Sequence, residues 1–152
     1  MRKTIISDTS CFIILSNIGE MELLCKVYSE VTTTPEIAKE FGEKLPEWVI
    51  VSEAKDAAYQ QILQLQIGKG ESSAIALALE IPNSTVILDD YKARKIANSL
   101  NLPCIGTIGV IVKAKLLGII PSIKPILDKM KATNFRLSAE LERDALLAAQ
   151  EQ

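Results

Sequence analysis

The chain reads as an α/β protein: a central, mostly parallel sheet with helices on both faces. Strand patterns alternate with helical ones along the whole sequence, as parallel strands joined by crossover helices require. Two short apolar runs stop on carboxylates, Thr4-Ile5-Ile6-Ser7 at Asp8 and Val86-Ile87-Leu88 at Asp89-Asp90. The run Ala74-Ile75-Ala76-Leu77-Ala78-Leu79 is apolar on every face, the mark of a helix buried against a sheet.

The elements follow in order. Residues 3–7 form a strand, and Thr9 to Asn17 a helix closed near Gly19. A short helix is expected over 20–26 and a β-rich second strand from Val27 to Thr32. Pro35 suits the first residue of a helix that runs to Phe41 and stops at Gly42. Trp48 to Val51 is extended, and a helix over 54–66 is broken by Gly68-Lys69-Gly70. The buried helix then opens at Glu71. Pro82-Asn83 turns the chain into strand 85–88, and Tyr91 to Leu100 is helical. Pro103-Cys104-Ile105 is a last short strand, and Thr107 to Leu117 a helix with Gly118 as its stop. Helices over 121–132 and 138–150 complete the chain. Without linker or repeat, the sequence implies one domain: a core over 1–118 and a helical extension over 119–152.

Composition narrows the chemistry. The 152 residues include no histidine, which removes Ser-His-Asp and Cys-His catalysis and imidazole zinc sites together. Carboxylates, hydroxyls, Lys/Arg and a metal remain. A net charge of −2 gives no global attraction for nucleic acid, so such a substrate needs local basic patches or metal ions. Cys11, Cys25 and Cys104 show no disulfide spacing and sit in apolar contexts, which suits core positions in a reducing cytoplasm. No apolar stretch is long enough to span a membrane, and Met1-Arg2-Lys3 leads into a strand rather than a signal peptide.

Taken singly, the acids have local explanations. Asp8 suits the N-cap of the first helix, and Glu36 and Glu71 suit first turns. Asp89 and Asp90 suit a cap of the helix after them, although one cap needs one acid. Glu40 fits no local rule: it ends a helix, where the dipole disfavours an anion, and lies four residues from Glu36. Taken together, Asp8, Glu40, Glu71, Asp89 and Asp90 offer hard oxygen ligands and no soft ones, which suits Mg²⁺ or Mn²⁺. Without a cation, crowding should raise the pKa of at least one of them. Thr107 adds a hydroxyl at the same end of the sheet, or caps its own helix. Lys69, Lys92, Arg94, Lys95 and Lys113 are candidates for holding phosphates, or simply solvated helix faces.

Five segments in this order resemble the PIN-domain ribonucleases, in particular the PIN-like branch related to prokaryotic toxin nucleases. They are Ile6-Ser7-Asp8-Thr9-Ser10, the stretch from Thr34 to Phe41, the stretch from Gly68 to Ala78, the stretch from Leu88 to Ala97, and Gly106-Thr107-Ile108-Gly109-Val110. The resemblance implies a three-layer PIN-like fold and an acidic Mg²⁺/Mn²⁺ site. By it, Asp8, Glu40, Glu71 and Asp90 are the catalytic acids; Asp8, Glu71, Asp90 and Asp89 hold the metal; Thr9 and Ser10 support the shell. Leu88 stands where the family usually has threonine, so Asp89 shares or replaces the role of Asp90. It further implies RNA as substrate, with Lys69, Lys92, Arg94 and Lys95 as contacts, an antitoxin protein as partner, and association into a homodimer.

Three other readings compete. A haloacid-dehalogenase-like phosphohydrolase opens on a strand-end aspartate but has a second one two residues later, where this chain has Ser10. A receiver domain carries its paired acids on the first strand rather than the central one. A PIN-like protein acting only as a binding scaffold fits less well with a full set of acids.

Overall fold

The computed structural model describes residues 3–151, and the leader expectation at Met1 and Arg2 lies outside them. Among these residues there are five strands: β1 (Thr4–Ser7), β2 (Val31–Thr33), β3 (Val49–Val51), β4 (Ser84–Ile87) and β5 (Cys104–Ile105). They form one sheet in the order β3-β2-β1-β4-β5, with every neighbouring pair parallel. Every residue of β4 is buried, as are Ile5 to Ser7 of β1, so the sheet is covered on both faces.

The helices are α1 (Thr9–Asn17), α2 (Glu22–Tyr28), α3 (Pro35–Phe41), α4 (Ala57–Leu63), α5 (Lys69–Glu80), α6 (Tyr91–Ser99), α7 (Thr107–Leu116), α8 (Lys124–Lys131) and α9 (Ala139–Ala148). α5 lies against β1 and β4 and is flanked by α3, α4 and α6, while α7 packs on α2 and α9. Gly70 and every residue from Ser72 to Ala78 in α5 are buried, as its all-round apolar run requires. The core is aliphatic; Phe12, with its ring centroid 5.7 Å from that of Phe41, is the one aromatic among the largest fully buried side chains.

Several boundaries differ from the sequence reading. The β-rich segment from Val27 begins as helix: α2 buries Leu23 and Leu24 and continues to Tyr28. Ser29, at φ 70°, then breaks it, so β2 starts only at Val31. The helix expected over 54–66 is confined to 57–63. Asp56 caps it at Tyr59 N, and Glu80 accepts from the amides of Lys55 and Asp56, holding that turn outside the helix. α5 starts two residues early because Gly68 is its N-cap. Cys11 is buried, but Cys25 and Cys104 are half-buried rather than core, and all three are free thiols.

Residues 119–151 pack onto the same core: Ile123, Leu127, Met130 and Ala149 are fully buried within it. Glu151 fastens the end of the chain, accepting from Ser122 Oγ (2.6 Å) and Ile123 N (2.8 Å). Among the described residues, no helix is long and apolar enough to cross a membrane.

Candidate metal centre

In the strand order, the chain moves from β1 outward through β2 to β3, then crosses back to β4 on the other side of β1. That reversal opens a crevice beyond the ends of β1 and β4, where Ser7 and Ile87 are level in register. Asp8 follows directly after β1, and Leu88-Asp89-Asp90 follow β4.

Asp8 is 1% exposed. Its Oδ1 accepts from Cys11 N (2.9 Å), so it is the N-cap of α1, and Oδ2 faces Asp89 N at 3.4 Å. Burial, then the charge of Asp89, push its pKa up to about 7; Glu71 adds to the rise. The two aspartates after β4 divide between two helices. Asp90 is exposed and caps α6 through Ala93 N (2.9 Å). Asp89 reaches across to the next strand and takes both donors of Thr107, the amide at 2.8 Å and the hydroxyl at 2.6 Å, at the first turn of α7. The charge of Asp89 thus acts chiefly on Asp8, and that of Asp90 on Glu71.

Glu71 accepts from Gly68 N (3.2 Å), closing the first turn of α5. Burial raises its pKa, with Asp90 and Glu40 contributing after it. Glu40 is exposed on the last turn of α3, and its Oε1 accepts from Thr9 Oγ1 at 2.5 Å. Asp8, Thr9, Ser10, Glu40, Gly68, Gly70 and Glu71 line one cavity of about 310 Å³ with Ile13 and Ile14. The fold therefore gathers Asp8, Glu40, Glu71, Asp89 and Asp90 at one end of the sheet. Among the described residues, no three acids stand in ready ligating geometry; their oxygens are instead turned to helix amides and hydroxyls. Glu36 is not part of this group, since Gln60 Nε2 binds it.

The basic residues separate as well. Lys92 and Lys95 are exposed on α6, and Lys95 lines a second cavity with Asp89, Tyr91, Arg94 and Asn98. Arg94 is half-buried and donates from Nη1 to Leu88 O (2.9 Å), so it braces the strand end rather than standing free in solvent. Lys69 faces a third cavity, of about 600 Å³, with Pro35, Glu36, Lys39, Glu40 and Glu53. Lys113 lies over the Tyr28 ring at 4.9 Å, about 9 Å along α7 from Thr107, and is occupied there.

Sequence reasoning took Gly70 as part of a helix break, whereas it lies in the first turn of α5, and it missed the buried polar tie beneath it. Thr34 Oγ1 and Ser73 Oγ are 2.6 Å apart, Thr34 caps α3 at Ile37 N (3.2 Å), and Ser73 donates to Gly70 O (2.6 Å). Two adjacent serines at the head of the buried apolar run of α5 were the available signal.

No curated protein matches the chain. A family model described as a PIN domain (DUF3368) matches residues 4–151, which takes in the helices after residue 118 as well as the core. The match favours neither the phosphohydrolase nor the receiver reading, and PIN domains are generally nucleases, so the function is of nuclease type. With an all-parallel five-stranded sheet flanked by helices and acids gathered at its carboxyl edge, the chain belongs to the PIN-domain family.

Proposed function

We propose that the protein is a Mg²⁺- or Mn²⁺-dependent endoribonuclease acting on single-stranded or looped RNA, the toxin of a toxin–antitoxin pair. One observation carries the reading: five carboxylates gather at the sheet's crevice, and none of them forms an ion pair among the described residues. The ion pairs among the described residues, Lys115–Glu151, Lys129–Glu20, Lys131–Asp128 and Lys131–Glu142, all lie elsewhere. A carboxylate as buried as Asp8, with Asp89 beside it, is held at a cost that a divalent cation offsets.

The donor set fits such an ion. Asp8, Glu71, Asp89 and Asp90 would hold it, all through hard oxygens. When bound, the cation supplies charge stabilisation at the phosphodiester and makes water a stronger nucleophile at neutral pH. The chain's own residues do the rest. Cys11 N, Gly68 N, Ala93 N and Thr107 fix four of the carboxylates before substrate arrives. Glu40, exposed and held by Thr9, serves as the base that accepts a proton from the attacking water at a carboxylate oxygen. Lys69 and Lys39 beside Glu40, and Lys92 and Lys95 on α6, meet the phosphates on either side. An antitoxin would cover this crevice, and association of two copies would bring two such sites together.

The test incubates the purified protein with unstructured RNA and matched single-stranded DNA in Mn²⁺, Mg²⁺ or EDTA, beside Asp8→Asn. RNA cleavage confined to metal and to the wild type is expected. Equal cleavage by both proteins exposes a contaminant, and none across varied RNAs favours the binding scaffold.

A further inference from the structure

We propose that Gly70 is a positioning residue: with Thr9, it sets the Glu40 carboxylate at the rim of the acidic crevice by leaving space that any side chain would fill. The inference rests on the nuclease reading for its functional meaning, but its geometry stands apart from it.

Glu40 is exposed at the end of a seven-residue helix, where a long side chain ordinarily samples many rotamers. Here its carboxylate is gripped from two sides. Thr9, just past the end of β1, donates its hydroxyl to Oε1 at 2.5 Å. From α5, the bare Cα of Gly70 closes the other side. A Cβ at Gly70 would run into Oε1 and stand 3.0 Å from Cδ and 3.2 Å from Oε2, so it would meet the whole carboxylate group. Backbone freedom does not explain this glycine. Its φ is not left-handed, unlike those of Gly19, Gly42 and Gly118, and it lies inside the first turn of a helix, where alanine is the better residue. The position therefore gives up helix propensity for room, and what occupies the room is Glu40. Glu71, the next residue, lines the same cavity as Glu40.

The atoms that an alanine methyl would strike belong to the far end of a flexible side chain, so Gly70→Ala should fold. Its expected effect is to swing Glu40 away from Thr9 and out of the crevice. The experiment compares wild type with Gly70→Ala, Thr9→Val, Thr9→Ser and Glu40→Gln by melting temperature, single-turnover RNA cleavage, and the ¹³C signal of the Glu40 carboxyl in metal-free protein. Gly70→Ala should melt at or above the wild-type temperature, yet cleave about 10- to 100-fold more slowly, part of the roughly 10²- to 10⁴-fold that a positioned general base contributes. Its Glu40 carboxyl signal should move in the same direction as in Thr9→Val, and Thr9→Ser should restore it. In the Glu40→Gln background, Gly70→Ala should slow cleavage no further, because the group it displaces is already gone. A wild-type carboxyl signal in Gly70→Ala overturns the proposal, as does an undiminished rate. If the wild type itself cleaves no RNA, the nuclease reading fails, and the carboxyl signals alone still decide whether Gly70 places Glu40.

Discussion

Replacing Asp8 by asparagine should stabilise the metal-free protein at alkaline pH and destabilise it in acid. Burial and the neighbouring Asp89 raise the Asp8 pKa from 3.8 to about 7. The folded state therefore holds the proton more tightly than the unfolded chain does. Between pH 3.8 and about 7 the unfolded chain gives up that proton while the folded state keeps it, so stability falls as pH rises, and above 7 the loss is complete. At 1.36 kcal/mol per pH unit, that interval amounts to about 4 kcal/mol. Asparagine carries no such penalty. Its amide oxygen can still accept from Cys11 N, but its NH₂ turns a donor toward Asp89 N, a loss of about 1 kcal/mol. The net gain at pH 8 is about 3 kcal/mol, or roughly 6–12 °C in Tm for a chain of this length. Near pH 4, where folded Asp8 is protonated, only the lost hydrogen bond remains, and the mutant should be the less stable by about 1 kcal/mol. Urea unfolding in EDTA from pH 4 to 8.5 measures both curves. Parallel curves, with no crossing, would refute the assignment of a buried, charge-crowded Asp8. Mn²⁺ at pH 8 should then raise the wild-type midpoint and leave that of Asp8→Asn nearly unchanged.

The remaining expectations separate groups that brace the crevice from groups that meet RNA. Thr107→Val keeps the shape of a fully buried residue but removes the hydroxyl that Asp89 accepts at 2.6 Å. It should lower the urea midpoint by the equivalent of about 1–2 kcal/mol with an unchanged m-value, and an unaltered midpoint would show that this bond does not hold α7 to β4. Lys69→Ala should leave the midpoint alone and reduce the salt slope of RNA binding by about 0.7, the value for one phosphate contact on a single strand. Arg94→Ala should do more, because it also strips Leu88 O of its donor; a lowered midpoint beside weakened binding is expected, and weakened binding alone would place Arg94 with the lysines.

The strand-end acids were legible because two signals coincide in the linear sequence: an apolar strand pattern, and a polar residue where the pattern stops. The all-round apolar face of α5 gave the layer that covers β1 and β4 in the same way. Contacts that depend on which strands lie side by side were not legible. Asp89 finds Thr107 eighteen residues later only because β4 and β5 pair in register, Ile87 against Ile105. Lys113 counted among the phosphate candidates as a basic side chain, and nothing in its local sequence tells of the Tyr28 ring that α2 brings beneath it. The extension of α2 through Tyr28 was hidden for a related reason. β-rich composition describes a half-buried surface as well as a strand, and burial of Leu23 and Leu24 decided for the helix.

For four of the acids, the choice between helix cap and functional group is a false one. Asp8 is bound to the start of α1, Glu71 to that of α5, Asp90 to that of α6 and Asp89 to that of α7. A parallel sheet turns the N-termini of its following helices toward one edge, so amides that need acceptors and carboxylates that need neutralising meet at the same place. The caps fix the carboxylates in advance, which is what a metal site asks of its ligands, and burial, with the charge of neighbouring acids after it, raises the pKa values of Asp8 and Glu71. Glu40 is the exception, since it sits where its helix ends, away from the free amides at that helix's start. A hydroxyl from one side and a missing side chain on the other take the place of the cap. An acid that breaks the local rules of its own helix therefore needs two partners from distant elements, and Thr9 and Gly70 are those partners.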